Sequence, residues 1–191
     1  FDIVAEDYDA AGPGCFAYFG QRLVEELGTE LGHHVLDVAS GRGAVLFPAA
    51  ERIGAMGTIE AIDLSKEMVR ATTDEAMRRG IAPRISVMDA EHLEFSDGSF
   101  DRVLCGFGVM FFPDQEKPLS EFRRVLKPGS RIGLSTWQVS QAEDLVAVLN
   151  DLQIGAGSPP GWISDPDALD AHENERVRAA LAERMDPHQS Q

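Results

Sequence analysis

The chain has 191 residues, 43% hydrophobic and 26% charged, enough apolar material for one ordinary core and too little length for two. Against 17 Lys+Arg stand 32 Asp+Glu, a net charge of −15, and such a surface repels phosphate backbones and anionic membranes, so nucleic acid is not an expected partner. No apolar run approaches the roughly 18 to 20 residues that cross a bilayer, and Cys15 and Cys105 lack any spacing that would suggest a disulfide framework or a metal knuckle. A reducing cytoplasm is the expected compartment. No basic segment followed by an apolar stretch opens the chain, and its start at Phe1 rather than Met suggests an upstream piece that is not represented.

In chain order, Phe16, Phe19, Leu23, Leu27 and Leu31 recur at helical spacing, a predicted amphipathic helix interrupted near Gly28. "HHVLDVA" follows as a short apolar strand of the kind buried on both faces. Helical periodicity resumes over residues 44–53, with Pro48 near enough to the first turn to cost little. "GTIEAIDLS" reads as a turn and strand, and Ser65 as the N-cap of a helix to about Arg79, with Glu67 in its first turn. "PRISVMDA" and "FDRVLCGFGV" are the third and fourth strands. "EKPLSEFRRVL" is a helix, and "GSRIGLSTW" is a fifth strand after a Lys127-Pro128-Gly129 turn. Residues 140–154 and "ENERVRAALAERM" read as further helices around the turn-rich "GAGSPPGW". This alternation predicts an α/β fold, a doubly wound, mostly parallel sheet with helices on both faces. The organisation expected is one domain: a helical cap over residues 1–32, an α/β core over 33–140 and a helical segment over 141–191.

In such sheets ligands bind beyond the carboxyl ends of the strands. "LDVASGRG", "AIDLS", "VMDAEHLEF" and "CGFGVMFF" all fall there. Gly41 and Gly43 at the strand-to-helix turn allow close approach of the backbone to a ligand, although a tight turn alone would use them equally. The dinucleotide spacing Gly-x-Gly-x-x-Gly/Ala does not fit: counted from Gly41 its third position is Leu46, and counted from position 39 its first is Ala39. No Gly-Lys-Ser/Thr follows, which excludes a P-loop. Asp37 is an acid in a buried strand, so either it caps its own turn or it receives donors from a ligand. Asp63 ends the second strand, where a carboxylate accepts two ribose hydroxyls or complements the dipole of the next helix. Asp89 ends the third strand, where the adenine edge of a nucleoside would lie, or serves its own turn.

Four stretches in order carry a family resemblance: "VLDVASGRG", "IEAIDLSKEMV", "VMDAEHLEFSDGSFDRV" and "EFRRVLKPGSRIGLSTW". Over about positions 33–137 the chain resembles class I S-adenosylmethionine-dependent methyltransferases, of the group that includes the ubiquinone and menaquinone biosynthesis enzymes. The N-terminal "VAEDYD" is similar to the lead-in of that family. The resemblance implies a Rossmann-like methyltransferase fold with S-adenosylmethionine as cofactor. It implies that the backbone around Ala39 and Gly41 faces the methionine part, that Asp63 binds the ribose hydroxyls, and that Asp89 with Ala90 holds an adenine flanked by Leu64 and Met88. Ala39 departs from the family's usual glycine.

Methyl transfer from a sulfonium needs alignment of acceptor and methyl group in a dry site, and a general base only where the acceptor must lose a proton. Candidates for that base are His92, Tyr8 and Tyr18, none fixed by a motif. His33 and His34 are adjacent at a strand start and point to opposite faces, and no metal is expected. Phe107 and Met110 are candidates for the acceptor pocket, which implies a small apolar or aromatic acceptor, while Phe111 and Phe112 are expected in the core. A non-catalytic binder of the cofactor or its product is the alternative reading, and a nicotinamide-dependent oxidoreductase a weaker one. No alternating strand run for the antiparallel pair that closes this family's sheet appears in "DPDALDAHENERVRAALAERM": the hairpin is missing, or incomplete because residues between about Asp170 and Glu175 are not represented. The sheet edge would then be open to pairing with a second copy of the chain.

Overall fold

The computed structural model describes residues 15–136. Tyr8, the two C-terminal helices and the question of the closing hairpin lie outside the described residues. Five strands, β1 (His34–Val38), β2 (Thr58–Asp63), β3 (Arg84–Val87), β4 (Phe100–Gly106) and β5 (Leu126–Ser135), form one parallel sheet in the order β3-β2-β1-β4-β5. Four helices accompany them: α1 (Cys15–Glu26), α2 (Leu46–Ile53), α3 (Lys66–Arg78) and α4 (Glu116–Val125). The strand order reverses between β1 and β4. That reversal opens the crevice at which doubly wound sheets bind ligands.

The pleat of β1 divides the core. Val35 faces the layer built from Val24 of α1 and Leu27 just after it, with Leu46, Phe47 and Ile53 of α2. Leu36 and Val38 face the opposite layer, with Leu119, Phe122 and Val125 of α4. Because β1 is hydrogen-bonded to β2 on one side and β4 on the other, its interior residues lose water entirely.

Three elements depart from the sequence expectation. The first helix ends at Glu26, and Leu31, assigned to its apolar stripe, is 78% exposed. The reason is local: Gly28 adopts φ +66, and the Arg102 guanidinium takes the carbonyls of Leu27 and Gly28 at 3.1 and 3.0 Å, closing the helix end. The second helix begins at Leu46 rather than Ala44, since the turn around Gly43 consumes the intervening residues. Pro48 is still in its first turn, where an N–H has no intrahelical partner. Lys127, Pro128 and Gly129 lie within β5, not before it. The register runs from Phe100↔Leu126 to Arg102↔Arg131, so the extra residues bulge out of the ladder, with Gly129 at φ +79. The Ser65 cap is as expected: its hydroxyl accepts from the Met68 N–H at 3.2 Å.

Candidate functional site

The loop from Ala39 to Gly43 is held from several directions. Ser40 N–H donates to the Ile62 carbonyl at the end of β2 (3.0 Å), and Gly43 N–H to the Ser40 carbonyl (2.8 Å). Gly41, at φ +51, donates its N–H to Asp63 Oδ2 at 2.8 Å, while its carbonyl accepts from the Thr72 hydroxyl of α3 at 2.6 Å. The other Asp63 oxygen accepts from Ser65 N–H at 2.9 Å. Asp63 therefore joins the glycine loop to the start of α3, and its carboxylate still has acceptor capacity, since an ionised carboxylate offers about four lone-pair directions.

Beyond the carboxyl ends of β1, β2 and β4 these residues bound a cleft of about 240 Å³. A single water needs roughly 10 to 15 Å³ of such space, so the cleft admits an organic ligand, not only solvent. Its polar lining comes from Ser40, Arg42, Asp63, Asp89 and Glu91, with the backbone of Gly41. Its apolar lining includes Phe16, Phe107, Phe111, Phe112 and Pro113. Phe107, buried and at φ +56, is wedged between the edges of Phe16 and Phe19, each ring centroid 5.5 Å away. Its N–H donates to the Ser135 carbonyl at 3.0 Å, which fixes the backbone in that strained form.

Of the residues assigned to a cofactor, Ala39, Gly41, Asp63, Leu64, Met88, Asp89 and Ala90 line the cleft. Asp37 and Gly43 stand behind it. A Cβ at Gly43 would press on the Phe47 ring at 2.6 Å, and its φ of +83 favours glycine, so this residue serves the packing of the turn on α2. Asp37 is fully buried in β1, neither carboxylate oxygen has a partner at hydrogen-bond geometry, and burial, reinforced by the nearby Asp63 charge, holds its pKa well above the usual carboxylate range; the Leu46 N–H points its dipole at the carboxyl without closing a full hydrogen bond and offsets this only in part. Asp89 is exposed and accepts from Glu91 N–H at 2.9 Å.

The aromatic stretch differs in detail from the expectation. Met110 does not line the cleft; the single helical turn over Val109–Phe111 buries Val109 and leaves Phe111 at the cleft, 57% exposed, instead of in the core. Phe112 does both, lining the cleft and packing on core Phe122 with centroids 6.3 Å apart. His92 is turned outward with its side chain 77% exposed, 3.8 Å from Asp89, and Tyr18 packs on Phe19; neither lines the cleft. Among the described residues, the lining contains no His, Tyr, Cys or Lys, and no group of His, Cys, Asp or Glu is arranged to hold a metal ion. Cys105 is buried, its thiol pushed up to about 12 by desolvation. No described helix is long and apolar enough to cross a membrane.

Sequence reasoning missed Ser40, Arg42, Glu91 and the α1 residues Phe16 and Gly20 as cleft-lining positions. Ser40 and Arg42 were legible as loop members, but Phe16 and Gly20 arrive through tertiary packing that no local pattern announces.

Comparison with known proteins agrees with this geometry. The sequence model of the ubiE/COQ5 methyltransferase family matches residues 1–145. Nocamycin O-methyltransferase of Saccharothrix syringae is 42% identical over 136 residues, 71% of this chain and 49% of that protein. Aklanonic acid methyltransferase of a Streptomyces species is 38% identical over 137 residues, 71% of this chain and 62% of that protein. The chain thus spans about half to three fifths of these relatives' length. The crystal structure of a SAM dependent methyltransferase from Aquifex aeolicus superposes with a TM-score of 0.70 at 22% identity, covering 80% of this chain and 87% of that one, a likeness of fold.

Proposed function

Given that the chain belongs to the ubiE/COQ5 methyltransferase family, we propose that its cleft binds S-adenosylmethionine and serves methyl transfer to a small apolar or aromatic acceptor. The observation that carries this reading is the Asp63 carboxylate. It sits in the cleft wall at the end of β2, tied to the Gly41 and Ser65 amides and with acceptor capacity left for vicinal hydroxyls. The residues fit the cofactor in two further ways. Ala39 and Gly41 bring backbone with little side chain to the cleft wall, and Ala90 with Met88 offers an apolar seat beside Asp89.

The cofactor supplies an electrophilic methyl group on a sulfonium. What the chain supplies is alignment and dryness. Asp63 holds the nucleoside, the backbone around Ala39 and Gly41 faces the methionine part, and the phenylalanines of the lining exclude water from the approach of the acceptor. Phe107 in the lining supports an apolar acceptor, and the names of the two relatives, which refer to nocamycin and aklanonic acid, support a small molecule. His92, Tyr18 and Tyr8 are not needed in this scheme for an acceptor that reaches the site already ionised. The excess of acidic residues disfavours nucleic acid as acceptor, and the free, buried Cys105 suits a cytoplasmic setting. Pairing of two chains across an open sheet edge remains part of the reading and is tested by sedimentation.

The test is calorimetry with S-adenosylmethionine, then transfer of labelled methyl to a small-molecule extract. Binding that is lost in Asp63→Ala, followed by label in a small product, is expected. Binding without transfer to any acceptor would leave a non-catalytic binder, and binding of NAD(H) in place of S-adenosylmethionine would overturn the reading.

A further inference from the structure

Thr72 and Thr73 are neighbours in α3 with opposite allegiances. Thr73 donates its hydroxyl to the Val69 carbonyl one turn back at 2.7 Å, the ordinary arrangement for threonine inside a helix. Thr72, with no exposure, leaves its helix and donates to the Gly41 carbonyl at 2.6 Å. We propose that Thr72 is a positioning residue for the cofactor, acting through the peptide that joins Gly41 to Arg42; this rests on the reading of the cleft as an S-adenosylmethionine site.

The argument is one of peptide geometry. The carbonyl of Gly41 and the N–H of Arg42 belong to one planar trans unit and point in opposite directions. Thr72 draws the carbonyl towards α3, so the Arg42 N–H is turned away from α3. The preceding peptide is held as well, because Gly41 N–H donates to Asp63. With φ +51 at Gly41, a conformation glycine leaves as readily as it adopts, both flanking peptides need an external anchor. Asp63 anchors one and Thr72 the other. The loop and the Met88–Ala90 stretch both line the cleft; on the reading adopted above the loop faces the amino-acid part of the cofactor and Met88–Ala90 the adenine, so the orientation set by Thr72 bears on the amino-acid part.

Calorimetry on the full chain with S-adenosylmethionine and with adenosine separates these parts. Thr72→Val keeps the shape and removes the donor, and is expected to weaken S-adenosylmethionine about fivefold to tenfold, the loss of about one buried hydrogen bond. Adenosine affinity should stay within about twofold, and Thr72→Ser should restore the cofactor. Thr72→Ala carries the same comparison where the valine variant does not fold. Equal affinity of wild type and variants for S-adenosylmethionine overturns the proposal, as does an equal loss for both ligands, which marks a merely structural staple. Failure of the wild type itself to bind S-adenosylmethionine instead removes the functional reading on which the proposal stands.

Discussion

Ala39 at φ +54 and Phe107 at φ +56 hold left-handed backbone without glycine's freedom, and both line the cleft. Such a conformation costs an L-residue about 1 to 2 kcal/mol. For Ala39 the sequence already marked the departure from a glycine; the positive φ supplies its physical meaning, which sequence alone withheld. Replacing Ala39 by Gly should raise unfolding free energy by about 1 kcal/mol and Tm by about 2 to 4 °C, measured by scanning calorimetry. A lower Tm would show that the methyl packed at Gly108 outweighs the strain. Asp37 carries a pH dependence. Its carboxyl titrates well above the usual range when folded, so below the unfolded value of about 3.9 both states are protonated and no penalty exists. As pH rises the unfolded chain ionises first, and folded stability falls until Asp37 itself ionises. Asp37→Asn removes that loss. Urea unfolding should therefore show the variant gaining on wild type as pH rises from about 4 to about 7, and a constant difference across that range would refute the assignment. The strand position of Asp37 was legible; its orphaned oxygens were not, because they depend on what β2 and β4 place beside it.

Between elements, α1 is the part the sequence described least completely. Its period identified a helix, yet its end depends on Arg102, which lies in β4 and about 75 residues away, so no local signal beyond Gly28 could stop it. Its seat on the cleft depends on Gly20, whose missing side chain admits the backbone of Ala44: a Cβ there would overlap the Ala44 carbonyl oxygen. A main-chain carbonyl cannot rotate aside as a flexible side chain can. Gly20→Ala should then cost about 1 to 3 kcal/mol, and should also disturb the contact between the cleft-lining rings of Phe16 and Phe107. Chemical denaturation reads the first effect. Wild-type stability in the variant would mean that α1 shifts without consequence. By contrast α3 was legible almost to its ends, since its cap is written into Ser65 and its first-turn acid into Glu67.

For the whole molecule, alternation of strands and helices announced the parallel sheet, and its reversal between β1 and β4 brings Ala39, Asp63, Asp89 and Phe107 to one cleft. Charge at this scale bears on ligand entry. The chain carries net −15, and the charged residues lining the cleft are Asp63, Asp89, Glu91 and Arg42. S-adenosylmethionine bears a sulfonium and an ammonium against one carboxylate and is a net cation, whereas its demethylated product is net neutral. An acidic protein concentrates the cation near its surface and does nothing comparable for the neutral product. Salt screens that attraction over a Debye length of about 10 Å at 0.1 M and about 3 Å at 1 M. Stopped-flow association of the cofactor should accordingly slow by about twofold to fivefold between low salt and 0.5 M, with the product's rate nearly constant. Parallel slowing of both ligands would point instead to a salt effect on the protein's conformation, and an increase for the cofactor would show that Arg42, not the acids, governs the mouth of the cleft.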